Sequence, residues 1–317
     1  MTTCRRCHTP LEAGDLRCAI CAMATPRETT AVTETIARIL RCEGCGAALA
    51  FNAEVGAPRC AFCAAVMRVE QPSDPVEVAE RMLPFAVQEG DARQSLTRWL
   101  SSLGFFRPSD LATTATVEQL RPIAWCGWLV EAEAMVSWTA DSDAGSRLSS
   151  WAPHSGQTPM TFTGLLIPAS RGLTLDECNR LIPTYRMAGL VDARTQSGTA
   201  VVEQFDVQRS AARSIVVDAI ARTASGRLQG HIPGSRVRNV NIAVLLRSLR
   251  TERLALPAYV LAYRYKGKSY RAIVHGQDAN NTFGDAPYSY RKIAAVIAGS
   301  IVALGLVLAI YAAVSHR

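Results

Sequence analysis

The chain has 317 residues, 49% hydrophobic and 19% charged, with no low-complexity tract. Ordinary apolar content at this length excludes a disordered or fibrous chain and leaves room for one large domain or two small ones. The net charge of +7 is unevenly placed: residues 226–292 hold twelve Lys or Arg against Glu252, Asp278 and Asp285, a local +9, so the remainder carries −2 and a molecule-wide basic surface is excluded.

From the N-terminus, eight of the ten cysteines form four Cys-x-x-Cys pairs within 63 residues: Cys4/Cys7, Cys18/Cys21, Cys42/Cys45 and Cys60/Cys63. A two-residue gap lets a tight turn aim both sulfurs at one ion, and two such knuckles close a four-thiolate tetrahedron with no open position. The expectation is two structural zinc ions, one in residues 1–24 and one in residues 36–70. The second unit has fourteen residues between its pairs, the spacing of a zinc ribbon, and Gly46 supplies open backbone just past its first knuckle. The first unit has ten residues between pairs and no glycine after Cys7 or Cys21, so a shorter sheet is expected. His8 neighbours Cys7, but four sulfurs already complete that site. Disulfide pairing would suit an exported chain. Met1–Pro10 has Arg5 and Arg6 and no apolar stretch of the signal-peptide kind, so reduced thiols in the cytoplasm are expected.

Residues 22–41 join the two units, with Ile36–Leu40 as a candidate leading strand, and Gln71–Pro75 reads as the linker into a body spanning 78–290. A helix is expected from Asp91, with Leu96, Trp99, Leu100 and Leu103 on one apolar face and Gly104 past its end, packed on a sheet. Strands are expected over Ile123–Val130, Ala132–Trp138 and Thr161–Ile167. Thr174 and Glu177 then form a capping box for a short helix through Leu181, and a longer helix fits Val207–Ala224, capped by Asp206 and stopped by Gly226. Strands over Arg236–Leu249, Leu256–Tyr265 and Ser269–His275 follow, the last two joined at Lys266-Gly267-Lys268. This order gives an α+β fold: two small N-terminal zinc ribbons and a mixed α+β body with an antiparallel sheet.

Ile293–Val314 is 22 residues without a charge, about 33 Å as a helix and long enough for a hydrocarbon core of about 30 Å. It reads as a single transmembrane helix. Arg291 and Lys292 precede it and only Ser315, His316 and Arg317 follow. Basic residues favour the cytoplasmic side, which gives a single-pass protein of the cytoplasmic membrane with its N-terminus in the cytoplasm. The basic excess in residues 226–292 adjoins this span, where it would attract anionic lipid headgroups; a solvated strand face is the alternative. Within the span, Ala295, Gly299 and Ala303 recur every four residues, a spacing that permits close helix pairing.

From about Cys42 to Lys292 the chain resembles a family of uncharacterised bacterial membrane-anchored zinc-ribbon proteins. The resemblance rests on the ribbon, Leu83-Pro84-Phe85, the Trp99-Leu100 helix end, and Phe105-Phe106-Arg107-Pro108-Ser109-Asp110-Leu111. Tyr263-Arg264-Tyr265-Lys266-Gly267-Lys268-Ser269-Tyr270, Val274-His275-Gly276-Gln277 and Pro287-Tyr288-Ser289 are similar to its closing hairpin. His275 stands where that family usually has Asn, Cys126-Gly127-Trp128 where Pro-Phe-Trp is usual, and the Cys4–Cys21 unit is an addition. The resemblance implies a scaffold or recruitment role beside phage-shock and stomatin/flotillin-type proteins.

No G-x-x-x-x-G-K-[ST], H-E-x-x-H or G-x-S-x-G sequence occurs, so nucleotide-hydrolase, zinc-protease and serine-hydrolase readings lack their usual carriers. His8, His154, His231, His275 and His316 are scattered. Strand alternation accounts for Glu131 and Glu133 beside Asp141 and Asp143, and Cys126 and Cys178 read as small buried side chains. Three functions are open. A membrane adaptor with protein partners is favoured over a nucleic-acid-binding ribbon protein, because residues 1–70 carry a net of only +1 and phosphate binding wants a basic stripe. An enzyme with an unrecognised site is the third.

Overall fold

The computed structural model describes residues 3–9, 11, 17–21, 23–25, 39–50, 59, 60, 62–70, 78–145, 150–195, 200–205 and 209–315. In chain order the elements are β1 (Ile39–Cys42), β2 (Ala48–Ala50), β3 (Met67–Glu70), β4 (Arg81–Met82), α1 (Glu89–Ser102), α2 (Leu111–Thr114), β5 (Thr116–Ser142), β6 (Ala152–Pro168), α3 (Leu175–Leu181), β7 (Val191–Asp192), β8 (Val201–Val202), α4 (Arg209–Leu228), β9 (Val237–Tyr265), β10 (Lys268–His275), β11 (Thr282–Gly284) and α5 (Tyr290–Ser315). The class is α+β. Two compact units divide it, one of Met1–Pro84 with Ala124–Leu256, the other of Phe85–Ile123 with Pro257–Arg317.

In the first unit, β1 is the centre of a three-stranded antiparallel sheet with β2 and β3. The body is built on β5 and β6, an antiparallel ladder running from Gly127↔Pro168 to Ser142↔Ala152. Strands alternate faces every residue, so the even-numbered positions from Trp128 to Ala140 are all buried while Glu131, Glu133 and Thr139 point to solvent. Helix α4 covers this face with Val216, Ile220, Ala224 and Leu228, one apolar residue every four. β4 runs parallel to β9 and antiparallel to β7, so the sheet is mixed. The capping box forms as expected: the Thr174 hydroxyl accepts from the Glu177 amide while the Glu177 carboxylate accepts from the Thr174 amide.

Four expectations differ in extent, the first being the strand expected over Thr161–Ile167, which already begins at Ala152. The two strands expected before and after Glu131 are one 27-residue strand, with the ladder register shifting between Val130 and Ala132. The pair expected over Arg236–Leu249 and Leu256–Tyr265 is one 29-residue strand. Gly226 does not stop α4, which continues to the fully buried Leu228, because tertiary burial outweighs the modest helix cost of one glycine. Asp206, expected to cap that helix, and the Gln71–Pro75 linker lie outside the described residues.

The second unit places α1 on a small antiparallel sheet of β10, β11 and the end of β9. Leu96 and Leu100 of α1 pack with Tyr259, Leu261, Tyr263 and Val274. The buried tyrosines keep their hydroxyls satisfied: Tyr259 donates to the Val87 carbonyl and Tyr265 to Asp110, each at 2.7 Å. His275, fully buried, accepts backbone N–H bonds from Gln277 and Asp278 at its Nδ1, both 3.0 Å. The imidazole thus serves as a local acceptor for the backbone of the turn that follows it. The unit ends in α5, whose most apolar stretch, within Tyr290–Leu308, has no buried residue. Tyr290 and Tyr311, both exposed, bracket the apolar run about 32 Å apart along the helix.

Candidate metal centres

All eight predicted ligands come together in two groups. Cys4, Cys7, Cys18 and Cys21 form one and Cys42, Cys45, Cys60 and Cys63 the other, with every sulfur within 4.8 Å of the rest of its group. The pairing across each group is the same. The first cysteine of one knuckle faces the last of the other, Cys4–Cys21 at 3.5 Å and Cys42–Cys63 at 3.3 Å, while the inner pair meets as Cys7–Cys18 at 3.4 Å and Cys45–Cys60 at 3.6 Å. Four sulfurs about 2.3 Å from a zinc ion lie about 3.8 Å apart, so both groups fit an ion of that size with little adjustment.

The backbone explains why. In each knuckle the leading cysteine donates its amide to the carbonyl five residues on: Cys4 to Thr9, Cys18 to Met23, Cys42 to Ala47 and Cys60 to Ala65, at 2.8–2.9 Å. Amides inside the turn then point at the sulfur, as from Ile20 to Cys18, from Gly44 and Cys45 to Cys42, and from Phe62 to Cys60, all 3.3–3.4 Å. These donors favour the thiolate, the ligand form. Closing the turn requires a left-handed residue after the second cysteine, and Gly46 (φ 78°) supplies it. His8 (φ 57°) and Ala64 (φ 62°) take the same conformation in their own knuckles, so His8 occupies a backbone role there.

Without a cation, four close thiols cannot all ionise. The Cys60 thiol is pulled down to about 5, chiefly by its hydrogen bond with Cys45, and Cys45 is pushed far up by the same bond and by burial. Cys7 is drawn down to about 6, first by the Thr9 hydroxyl 3.3 Å away. A divalent ion would resolve the conflict by accepting all four thiolates. With four protein ligands no coordination position is left for substrate, so such an ion would act as a structural clasp.

The two sites differ in their frame. The second is closed by the β1–β3 sheet, whereas the described part of the first has isolated bridges such as Arg17↔Ala24 and no strand, as its shorter spacing predicts. A hollow of about 200 Å³ beside Cys4, Arg5 and Met23 is below the roughly 300–1,000 Å³ usual for small-molecule pockets.

The cysteine spacing does not reveal how the knuckles are seated. Ile20, from Cys18-Ala19-Ile20-Cys21, packs against the core under α4. Phe62, from the equivalent place in the second site, is 1% exposed and lies over Gly172, where an added Cβ would come 2.1–2.5 Å from its ring. The Gly172 loop is in turn held by Glu203, a buried carboxylate accepting the Arg171 and Gly172 amides at 2.9 Å. Gln204 then donates to the Ala48 carbonyl at 2.8 Å, joining β2 to the body. The signal that could have found this seat is the repeated apolar third residue of each second knuckle.

Comparison with protein families, with curated proteins and with solved structures gives no match to this chain.

Proposed function

We propose that the chain is a membrane-anchored adaptor: two zinc ribbons and an α+β body held on the cytoplasmic face by α5, recruiting or scaffolding protein partners there. The observation that carries this reading is the exposed apolar stretch of α5, since a helix apolar on all sides needs lipid or another apolar surface around it. Arg291 and Lys292 at its start favour the cytoplasmic side for the preceding residues, and the basic excess of residues 226–292 suits anionic headgroups. Zinc serves as a structural clasp in both sites, and the seating of Ile20 and Phe62 makes the knuckles part of the body that partners meet. Phage-shock or stomatin/flotillin-type proteins are the partner class that the family resemblance implies.

Protease added to right-side-out cells should spare residues 1–292, and protease added to inverted vesicles should digest them; the reverse pattern would overturn the orientation. The adaptor reading is tested by affinity isolation from solubilised membranes with the native chain and Cys42→Ser. Specific protein partners lost with the second site, while anchoring persists, support it. Recovery of nucleic acid in place of protein would favour a membrane-tethered nucleic-acid binder.

A further inference from the structure

At the start of α5 the second unit gathers exposed aromatic side chains with no role in its core. Phe105 and Phe106, in the loop after α1, are 65% and 44% exposed and stand edge to face at 5.6 Å. Isolated exposed hydrophobics are ordinary. These two, however, adjoin the exposed Tyr288 and Tyr290, where the apolar helix begins.

The loop is fixed to the helix start by several bonds. The Ser289 amide donates to the Phe106 carbonyl at 2.8 Å, and the Lys292 ammonium donates to the Arg107 carbonyl at 2.9 Å. That ammonium lies 5.1 Å from the Phe105 ring centre, and the Arg107 guanidinium stacks 3.6 Å over Tyr288. Because the loop is tied to the first turn of α5, its depth is set by the depth of that turn. Lys292 is the last charge before the apolar run, so in a bilayer its ammonium marks the headgroup level. Phe105 sits beside it, at the boundary where aromatic rings partition well and where Arg107 and Lys292 find phosphate.

We propose that the Phe105–Phe106 loop is a second membrane-contacting element, inserting its aromatic pair into the phospholipid headgroup–acyl boundary next to α5 and so fixing the second unit against the bilayer. The inference rests on the reading of α5 as a bilayer span.

The test uses the full chain in phosphatidylcholine/phosphatidylglycerol vesicles, with a photoreactive benzoyl-phenylalanine placed singly at Phe105, at Ile301 within the span, or at Glu89. Glu89 is exposed at the opposite end of α1, about 20 Å along the helix from Ser102. Lipid adducts at Phe105 and Ile301, with none at Glu89, are the expected result. Adducts at Ile301 without any at Phe105 overturn the loop's role and leave the span standing. No adduct at Ile301 removes the span and the proposal together. Phe105 adducts to a second copy of the chain in place of lipid would make the aromatic pair a protein contact and overturn the proposal.

Discussion

At the residue scale, the contact that decides how the second metal site joins the body is Phe62 against Gly172. Any side chain at 172 must displace a ring that is buried on all sides, and overpacking of this kind costs about 1–3 kcal/mol. Gly172→Ala should therefore lower the thermal midpoint of the full chain, with metal retained if only the seat is disturbed; an unchanged midpoint would show that Phe62 does not occupy this place. Glu203 supports a second prediction. Burial raises its carboxyl above the ordinary range, although the Arg171 and Gly172 amides pull the other way. The folded state thus holds the proton more tightly than the unfolded chain, whose glutamates titrate near about 4.3. Stability from this residue is full below that value and is lost as pH rises through the raised folded value. Glu203→Gln keeps an oxygen for the two amides and removes the charge, so its melting advantage over the native chain should grow as pH rises through that window. An advantage that is flat with pH would mean the carboxyl is not buried as described. All eight cysteines of the two groups were legible in the sequence as candidate ligands, because ligand chemistry fixes residue type and local spacing. The seat was not, since Gly172 and Glu203 acquire their roles only from partners far along the chain.

At the element scale, what could be read was whatever depends on neighbours in sequence. The α1 face, the Thr174–Glu177 box and α5 follow from local periodicity, capping and continuous apolarity. The long strands were divided at Glu131 and over residues 250–255, where Arg250, Glu252 and Arg253 bring charge into the apolar pattern. A register shift absorbs the first. At the second, the charges find partners beside the strand: Arg253 pairs with Glu80 at 2.6 Å and Arg250 with Glu252 at 3.3 Å, so the strand runs on through them. Gly226 was read as a terminator for a similar reason, and its position inside α4 yields a prediction of opposite sign to that of Gly172. It lies within the helix with nothing within 4 Å of an added Cβ, so Gly226→Ala should stabilise the first unit by about 0.5–1 kcal/mol through lower unfolded-state entropy and better helix propensity. A denaturant midpoint that moves downward instead would place Gly226 at a helix end.

At the scale of the whole molecule, the division into units could not be seen in the sequence, because the second unit is assembled from two separate segments. Its bond from Tyr259 to Val87 links residues 172 apart, while periodicity reports only on adjacent turns. The division has a consequence for metal removal. Both cysteine groups, with Ile20 and Phe62 seated on the body, belong to the first unit, whereas the core around Leu96, Leu100, Tyr263 and Val274 includes, among the described residues, none from the cysteine segments. Thiolate clusters stripped of their ion repel one another or take up protons, and small metal-closed folds lose structure when the ion is removed. Chelation should therefore open the first unit locally, exposing amides such as that of Gln204, whose acceptor is the Ala48 carbonyl. Hydrogen exchange on the full chain in detergent, before and after a strong zinc chelator, should show protection lost around residues 39–70 and 170–205 and retained in α1 and β10. Equal loss in both units would mean that metal binding supports the entire molecule, and no loss at Gln204 would mean that the second cysteine group is seated independently of any metal.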